Sequence, residues 1–302
     1  MGRKKKAVSG GFAEKGSEGE VRVSAPGGYE EMTPEQRRTT TILGASIVAV
    51  IVVVVAVVIG VVTWQKNKTA TETAQKNESA YSKLADDSIA RPSDYVTRDG
   101  AIQFTRDGVV EGKLDDKWKD TKTVDVWLDP LCPGCGSVDQ TLSPTYAEYL
   151  QSGKIVLRIH PIATLDSLST DDYSTRASAS MYRMLDVAPD KAYAYITLLM
   201  SEDKQPEEGN GYESVSDADL QKTATEVGVD EKDAESLTDG KYKEYLKAAT
   251  DYSTSRTELY RSDTGEFATP IVRVGDTNMS FDDPSTSKLI EQFKRLVDKT
   301  DK

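Results

Sequence analysis

Twenty-three consecutive residues, Ile42 to Trp64 (ILGASIVAVIVVVVAVVIGVVTW), carry no charge. Val and Ile fall on every face of this run, which a helix packed on a soluble core would not need. As a helix it is roughly 34 Å long at about 1.5 Å per residue, enough to cross a hydrocarbon layer of about 30 Å with some tilt. A cleaved export signal fits poorly. The apolar core exceeds the usual length of about 7 to 15 residues, a long tail precedes it, and no good small-x-small cleavage site follows Trp64. The run reads as one uncleaved transmembrane helix, a signal-anchor.

Basic residues near the run favour neither orientation: Arg22, Arg37 and Arg38 precede it, while Lys66, Lys68, Lys76 and Lys83 follow. The tail adds Arg3, Lys4, Lys5, Lys6 and Lys15, and a long following domain translocates largely regardless of charge. The expected topology has the N-terminus cytoplasmic and the domain extracytoplasmic. The whole chain carries a net charge of −12, and the basic tail means that the acidity lies beyond the membrane run. An acidic domain of this kind argues against nucleic acid as a partner.

Six segments follow from composition and periodicity. Residues 1–41, rich in glycine, glutamate and lysine, read as a disordered cytoplasmic tail, 42–64 as the transmembrane helix, and 65–95 as a partly helical stalk or linker. In 96–169 a hairpin around Asp107-Gly108 precedes a strand over 123–129, a helix over 136–152 and a strand over 154–160. That β-α-β order implies a parallel pair. Residues 170–262 carry only helical spacing: Tyr173 to Leu185, Pro189 to Met200, a helix opened by Ser216 and ended at Gly228, and Lys241 to Leu259. In 263–302 strands return at 271–274 and 279–281 around a 275–278 turn. A last helix from Ser285 to Val297 has a buried stripe of Leu289, Ile290, Phe293 and Leu296. No internal repeat is visible.

The only two cysteines are Cys132 and Cys135, separated by Pro133 and Gly134. They stand between a strand and a helix, the setting in which a CxxC pair reads as redox-active. Cys132 would meet the unpaired N–H groups and positive dipole end of the helix, which favour its thiolate. Pro133 suits the first helical turn, and Gly134 contributes no charge. Cys132 is therefore the expected nucleophile and Cys135 the resolving thiol. A zinc site would need two more ligands, and His160 is the only histidine. An inert bridge would constrain little of the unfolded chain with so small a ring. No metal and no bound cofactor are expected.

These pieces resemble the DsbA-like branch of the thioredoxin superfamily, in particular membrane-anchored thiol–disulfide oxidoreductases of actinobacteria. The resemblance covers about residues 96–302. It rests on Val124 to Cys135 (VDVWLDPLCPGC), Arg158-Ile159-His160-Pro161, Tyr173 to Ala177 (YSTRA) and Ala268-Thr269-Pro270. It implies an α/β thioredoxin-like fold, split into 96–169 and 263–302 by an inserted all-helical domain and preceded by the transmembrane helix. It also implies that Thr269-Pro270 forms a cis-peptide loop that binds substrate beside the cysteines. Two departures stand out. Gly134 occupies a position where strongly oxidising relatives often have histidine, and Val126 stands six residues before Cys132, where many thioredoxin-like proteins have a buried acid. Asp125 and Asp129 flank Val126 and offer substitutes for that acid, although Asp125 is expected on the opposite face, and His160 is read as a satisfied structural histidine.

The expected function is disulfide formation in exported cysteine-containing proteins, the reduced pair being re-oxidised by a membrane partner of VKOR-like type. Two alternatives remain: an extracytoplasmic disulfide reductase or isomerase, or a non-catalytic anchored binding or chaperone module with a static bridge.

Overall fold

The computed structural model describes residues 34–299 except 93, 262, 263 and 284, and for 34–53, 66 and 67 it describes the backbone alone. Residues 1–33 of the expected disordered tail lie outside the described residues, while 34–41 are helical and open the first helix. The chain divides after Gln65 into two units. In the first, helix α1 (Pro34–Leu84) runs through the apolar stretch. Among the described residues no helix is long and apolar enough to cross a membrane. Side chains of the apolar run are described only over 54–64, about 16 Å of helix. There, Val54 through Val62 and Trp64 are apolar and exposed.

The second unit holds α1 from Lys66 onwards and everything after it. The segment expected as a stalk closes on this unit: Leu84 is buried, and the Tyr81 ring meets Tyr252 at 5.4 Å. Then follow strands β1 (Ile102–Thr105), β2 (Gly108–Val109) and β3 (Lys122–Leu128), helix α2 (Pro133–Gln151) and strand β4 (Ile155–Pro161). Helices α3 (Tyr173–Val187), α4 (Ala192–Leu199), α5 (Asp217–Glu226), α6 (Glu231–Glu235) and α7 (Lys243–Ser255) come next. Strands β5 (Ile271–Val274) and β6 (Thr277–Asn278) and helix α8 (Thr286–Asp298) complete it.

The sheet order is β2-β1-β4-β3-β5-β6. β3 pairs parallel with β4 and antiparallel with β5, so Val126 lies between Ile159 and Val272. Flanked on both sides, β3 is buried from Val124 to Leu128, which its β-branched and aromatic composition suits. Val124, Val126 and Leu128 join the main core with Cys135, Val138 and Leu142 of α2 and Phe293 of α8. On the opposite face Trp127 packs with Ile162, Leu259 and Ile271, and its indole N–H donates to Ser253 Oγ of α7 at 3.2 Å.

The helical block shares the core of the sheet: Tyr182, Tyr195, Tyr245 and Leu220 belong to one apolar cluster with β1, β3 and α2. α5 begins in a capping box formed by Ser216 and Asp219, and the chain turns after it at Gly228, whose φ is 91°. One strand differs from expectation. Arg273 pairs with Asn278 and Val274 with Thr277, so β6 occupies Thr277–Asn278 rather than 279–281. Gly275, with φ 56°, permits a two-residue turn there, and Arg273 donates to Asn278 Oδ1 at 2.9 Å.

Candidate active site

The turn before α2 is built on Asp129, whose side chain is fully buried. Its carboxylate accepts from the N–H groups of Leu131, Thr164 and Leu165 at 3.0, 2.7 and 3.1 Å, and from the hydroxyls of Thr164 and Ser174 at 3.3 and 2.6 Å. Burial raises its pKa, although the Ser174 hydroxyl and the N–H groups of Thr164, Leu131 and Leu165 oppose that rise. With its oxygens so engaged, Asp129 anchors the turn to the segment after β4 and to α3. It does not stand in for the acid missing at Val126. Asp125 faces the other way and pairs with His160 Nε2 at 2.8 Å and Arg158 at 3.4 Å.

Cys132 caps α2, its sulfur accepting from the Cys135 N–H at 3.4 Å, while Pro133 takes the first helical position. The Cys132 carbonyl accepts from the N–H groups of Cys135 and Gly136. Both cysteines are free thiols and both are buried, Cys132 at 7% exposure and Cys135 at 2%. The Cys135 thiol, hydrogen-bonded to the Cys132 sulfur, holds the Cys132 pKa down to about 7 against the opposing effect of burial. Burial pushes the Cys135 thiol well above its ordinary range. The two sulfurs are therefore unequal: one is a thiolate near neutral pH, the other a buried thiol.

The Thr269–Pro270 peptide bond is cis. The Thr269 carbonyl lies 3.6 Å from Cys132 Sγ and accepts from its thiol. The structure thus brings Cys132, Cys135, Gly134, Thr269 and Pro270 together, with Pro133 at the mouth. All of these except the buried Cys135 line a cleft of about 880 Å³, together with Val138, Phe267 and Phe281.

Several residues at or near this site carried no assignment in the sequence. Gln205, in the segment after α4, donates its amide to the carbonyls of Pro130 and Cys132, both at 2.9 Å. A Cβ at residue 136 would run into the Gln205 Oε1, so Gly136 makes room for this clamp. No local pattern announces Gln205, because its partners lie some 75 residues earlier. Asp139 is buried on α2, and an acid among Val138, Leu142 and Tyr146 was a readable signal. Away from the cleft, His160 stacks on Trp127 at 4.1 Å, a structural setting. With Asp99 and Asp125 it is one group of possible metal ligands among the described residues. Arg158 at 3.4 Å from both carboxylates and Arg256 at 3.6 Å from Asp99 balance that charge instead.

The family model described as Thioredoxin matches residues 117–299. The chain belongs to the thioredoxin family. Serine/threonine-protein kinase PknE of Mycobacterium tuberculosis is 30% identical over 170 residues, which are 54% of this chain and 28% of the kinase. The match thus spans little more than a quarter of that curated relative. Among solved structures, the MdbA protein of Corynebacterium diphtheriae, a thiol-disulfide oxidoreductase, superimposes with a TM-score of 0.50 at 22% identity. That alignment covers 68% of this chain and 93% of MdbA, and shows a shared fold. DsbA of Mycobacterium tuberculosis in its oxidised form gives a TM-score of 0.48 at 25% identity, covering 66% of this chain and 94% of DsbA.

Proposed function

We propose that this thioredoxin-family chain is a membrane-anchored thiol–disulfide oxidoreductase that forms disulfides in exported proteins. The observation that carries the reading is the inequality of the two sulfurs at the head of α2, beneath Thr269–Pro270 and beside an apolar cleft. In the oxidised protein a substrate thiolate attacks Cys132 Sγ. The Cys132–Cys135 bond breaks, a mixed disulfide forms, and Cys135 departs with the electron pair. A second substrate thiolate then attacks the substrate sulfur of that mixed disulfide and releases Cys132. The substrate loses two electrons and two protons, and the protein ends as the dithiol. A quinone-linked membrane partner of VKOR-like type re-oxidises it.

Anchoring by one helix rests on the charge-free run 42–64 and on exposed Val54, Ile59 and Trp64 within α1. The cleft and the dithiol are then extracytoplasmic and the tail cytoplasmic. Protease added to intact cells digests the domain in this topology and spares the tail; protection of 65–302 reverses it.

A reductase or isomerase role is favoured by one observation: Cys132 is held only to about 7 and Gly134 adds no charge beside it. Thioredoxin has a comparable value near 7, whereas strongly oxidising relatives lie near 3.5. Equilibration of the pair in glutathione buffers decides between the readings. A potential near about −120 mV marks an oxidant, and one near about −270 mV a reductant.

A further inference from the structure

Asp139 lies four residues after Cys135 on the buried face of α2. Side chains of a helix lean towards its N-terminus, and residues four apart are neighbours with Cβ atoms about 5–6 Å apart. Asp139 thus leans back over the turn that holds the buried thiol. It is 7% exposed, and its Oδ2 has no hydrogen-bond partner among the described residues. Besides the Cys135 thiol one turn away, two tyrosines feel its charge. Tyr146, on the same helix, has a buried hydroxyl that also lacks a partner, and Tyr193 of α4 donates to the Ser143 carbonyl at 3.4 Å. From α8 and β1 the same rings meet Phe293 and Phe104, which carry no charge. Burial alone holds the Asp139 carboxyl up at about 7. The other acids near the motif are engaged, Asp129 by five donors and Asp125 by Arg158 and His160.

We propose that Asp139 is the proton donor and acceptor for Cys135 during disulfide exchange. The assignment rests on the thiol–disulfide reading of the cysteine pair. When a substrate thiolate bonds to Cys132, Cys135 leaves as a thiolate in a setting that disfavours its charge. The Asp139 carboxyl gives up its O–H proton, directly or across one water, and an S–H bond forms at Cys135. No electrons move in this step, the two electrons having passed from substrate to protein in the exchange itself. On re-oxidation the path reverses: the Asp139 carboxylate takes the Cys135 proton and frees the thiolate to close the disulfide.

The test compares the full-length oxidised protein with its Asp139→Asn and Asp139→Glu variants, reduced by dithiothreitol from pH 5 to 9. Rate constants are divided by the fraction of dithiothreitol present as thiolate. The wild-type value is expected to fall as pH rises through about 7, where Asp139 loses its proton. Asp139→Asn should be at least about tenfold slower at pH 6 with no such bend, and Asp139→Glu should restore the bend. Asp139→Asn should also resist urea better than wild type at pH 8, because it removes a buried unpartnered charge; a purely structural role gives the opposite change. An Asn variant with the wild-type rate and bend overturns the relay while leaving the redox reading intact. A wild-type protein that exchanges no disulfide overturns both. Should Asp139→Asn fail to fold, ¹³C NMR titration of the wild-type carboxyl replaces it. A midpoint that differs between the disulfide and dithiol forms supports the relay, and an identical midpoint overturns it.

Discussion

Pro270 closes over Gly134: a Cβ at residue 134 would stand 3.1 Å from the proline Cδ and 3.8 Å from Cys132 Sγ. Contact as tight as 3.1 Å leaves no slack between the motif and the Thr269–Pro270 loop, and 3.8 Å puts any added side chain in the approach to the reacting sulfur. Gly134→Ala should therefore lower kcat/KM for cysteine peptides several-fold, by about 1 kcal/mol of transition-state stabilisation. Exchange with dithiothreitol, small enough to pass, should change less. Equal losses with both reductants would refute the steric account.

Removing the amide that holds two carbonyls of the active-site turn should be felt in stability. Gln205→Ala should cost about 1–3 kcal/mol in urea unfolding, the range for leaving buried hydrogen-bonding groups unmade. Gly136→Ala should cost a similar amount, because the new methyl displaces the same side chain. The double variant should lose less than the two single losses combined, since both act on one contact. Additive losses would show that Gly136 serves something other than the clamp.

The Cys135 thiol is the first cause of the low Cys132 pKa. Cys135→Ala should move the midpoint of Cys132 alkylation by iodoacetamide up from about 7 towards 9.0, the ordinary thiol value. A midpoint still near 7 would put the thiolate's stabilisation in the helix end alone.

Burial would raise the Asp99 carboxyl, but His160, Arg158, Thr97 and Arg256 together draw it down to about 2. A carboxylate depressed in the folded state adds stability above its unfolded pKa of 3.8 and loses it as pH falls through about 2. Asp99→Asn should thus cost about 2 kcal/mol at pH 7 and almost nothing near pH 2. Urea midpoints at the two pH values measure it, and an equal cost at both would mean that Asp99 acts through shape.

Much of this site is legible in the sequence because its signals are local. Cys132, Pro133 and Cys135 are joined by sequence, and the β-branched and aromatic residues of Val124 to Leu128 announce a buried strand. The Ser216–Asp219 box likewise marks α5 within four residues. Thr269 and Pro270 were placed at the cysteines by resemblance, since nothing local distinguishes that proline from one that merely begins a strand. Gln205 and the Asp99–Arg158–Arg256 network depend on contacts between distant segments, to which periodicity is blind. Strand β6 was misplaced by two residues because Arg273 prefers Asn278 across the turn, a cross-strand choice that hydrophobicity does not record.

Asp129 has a consequence for anyone who would transplant this motif. Its five donors come from Leu131, from Thr164 and Leu165 beyond β4, and from Ser174 in the first turn of α3. A graft of residues 130–136 into another scaffold would leave behind Asp129 itself and every donor except Leu131. The smallest portable cassette is the stretch from β3 through the start of α3, and a chimera that joins two relatives between β4 and α3 cuts through it.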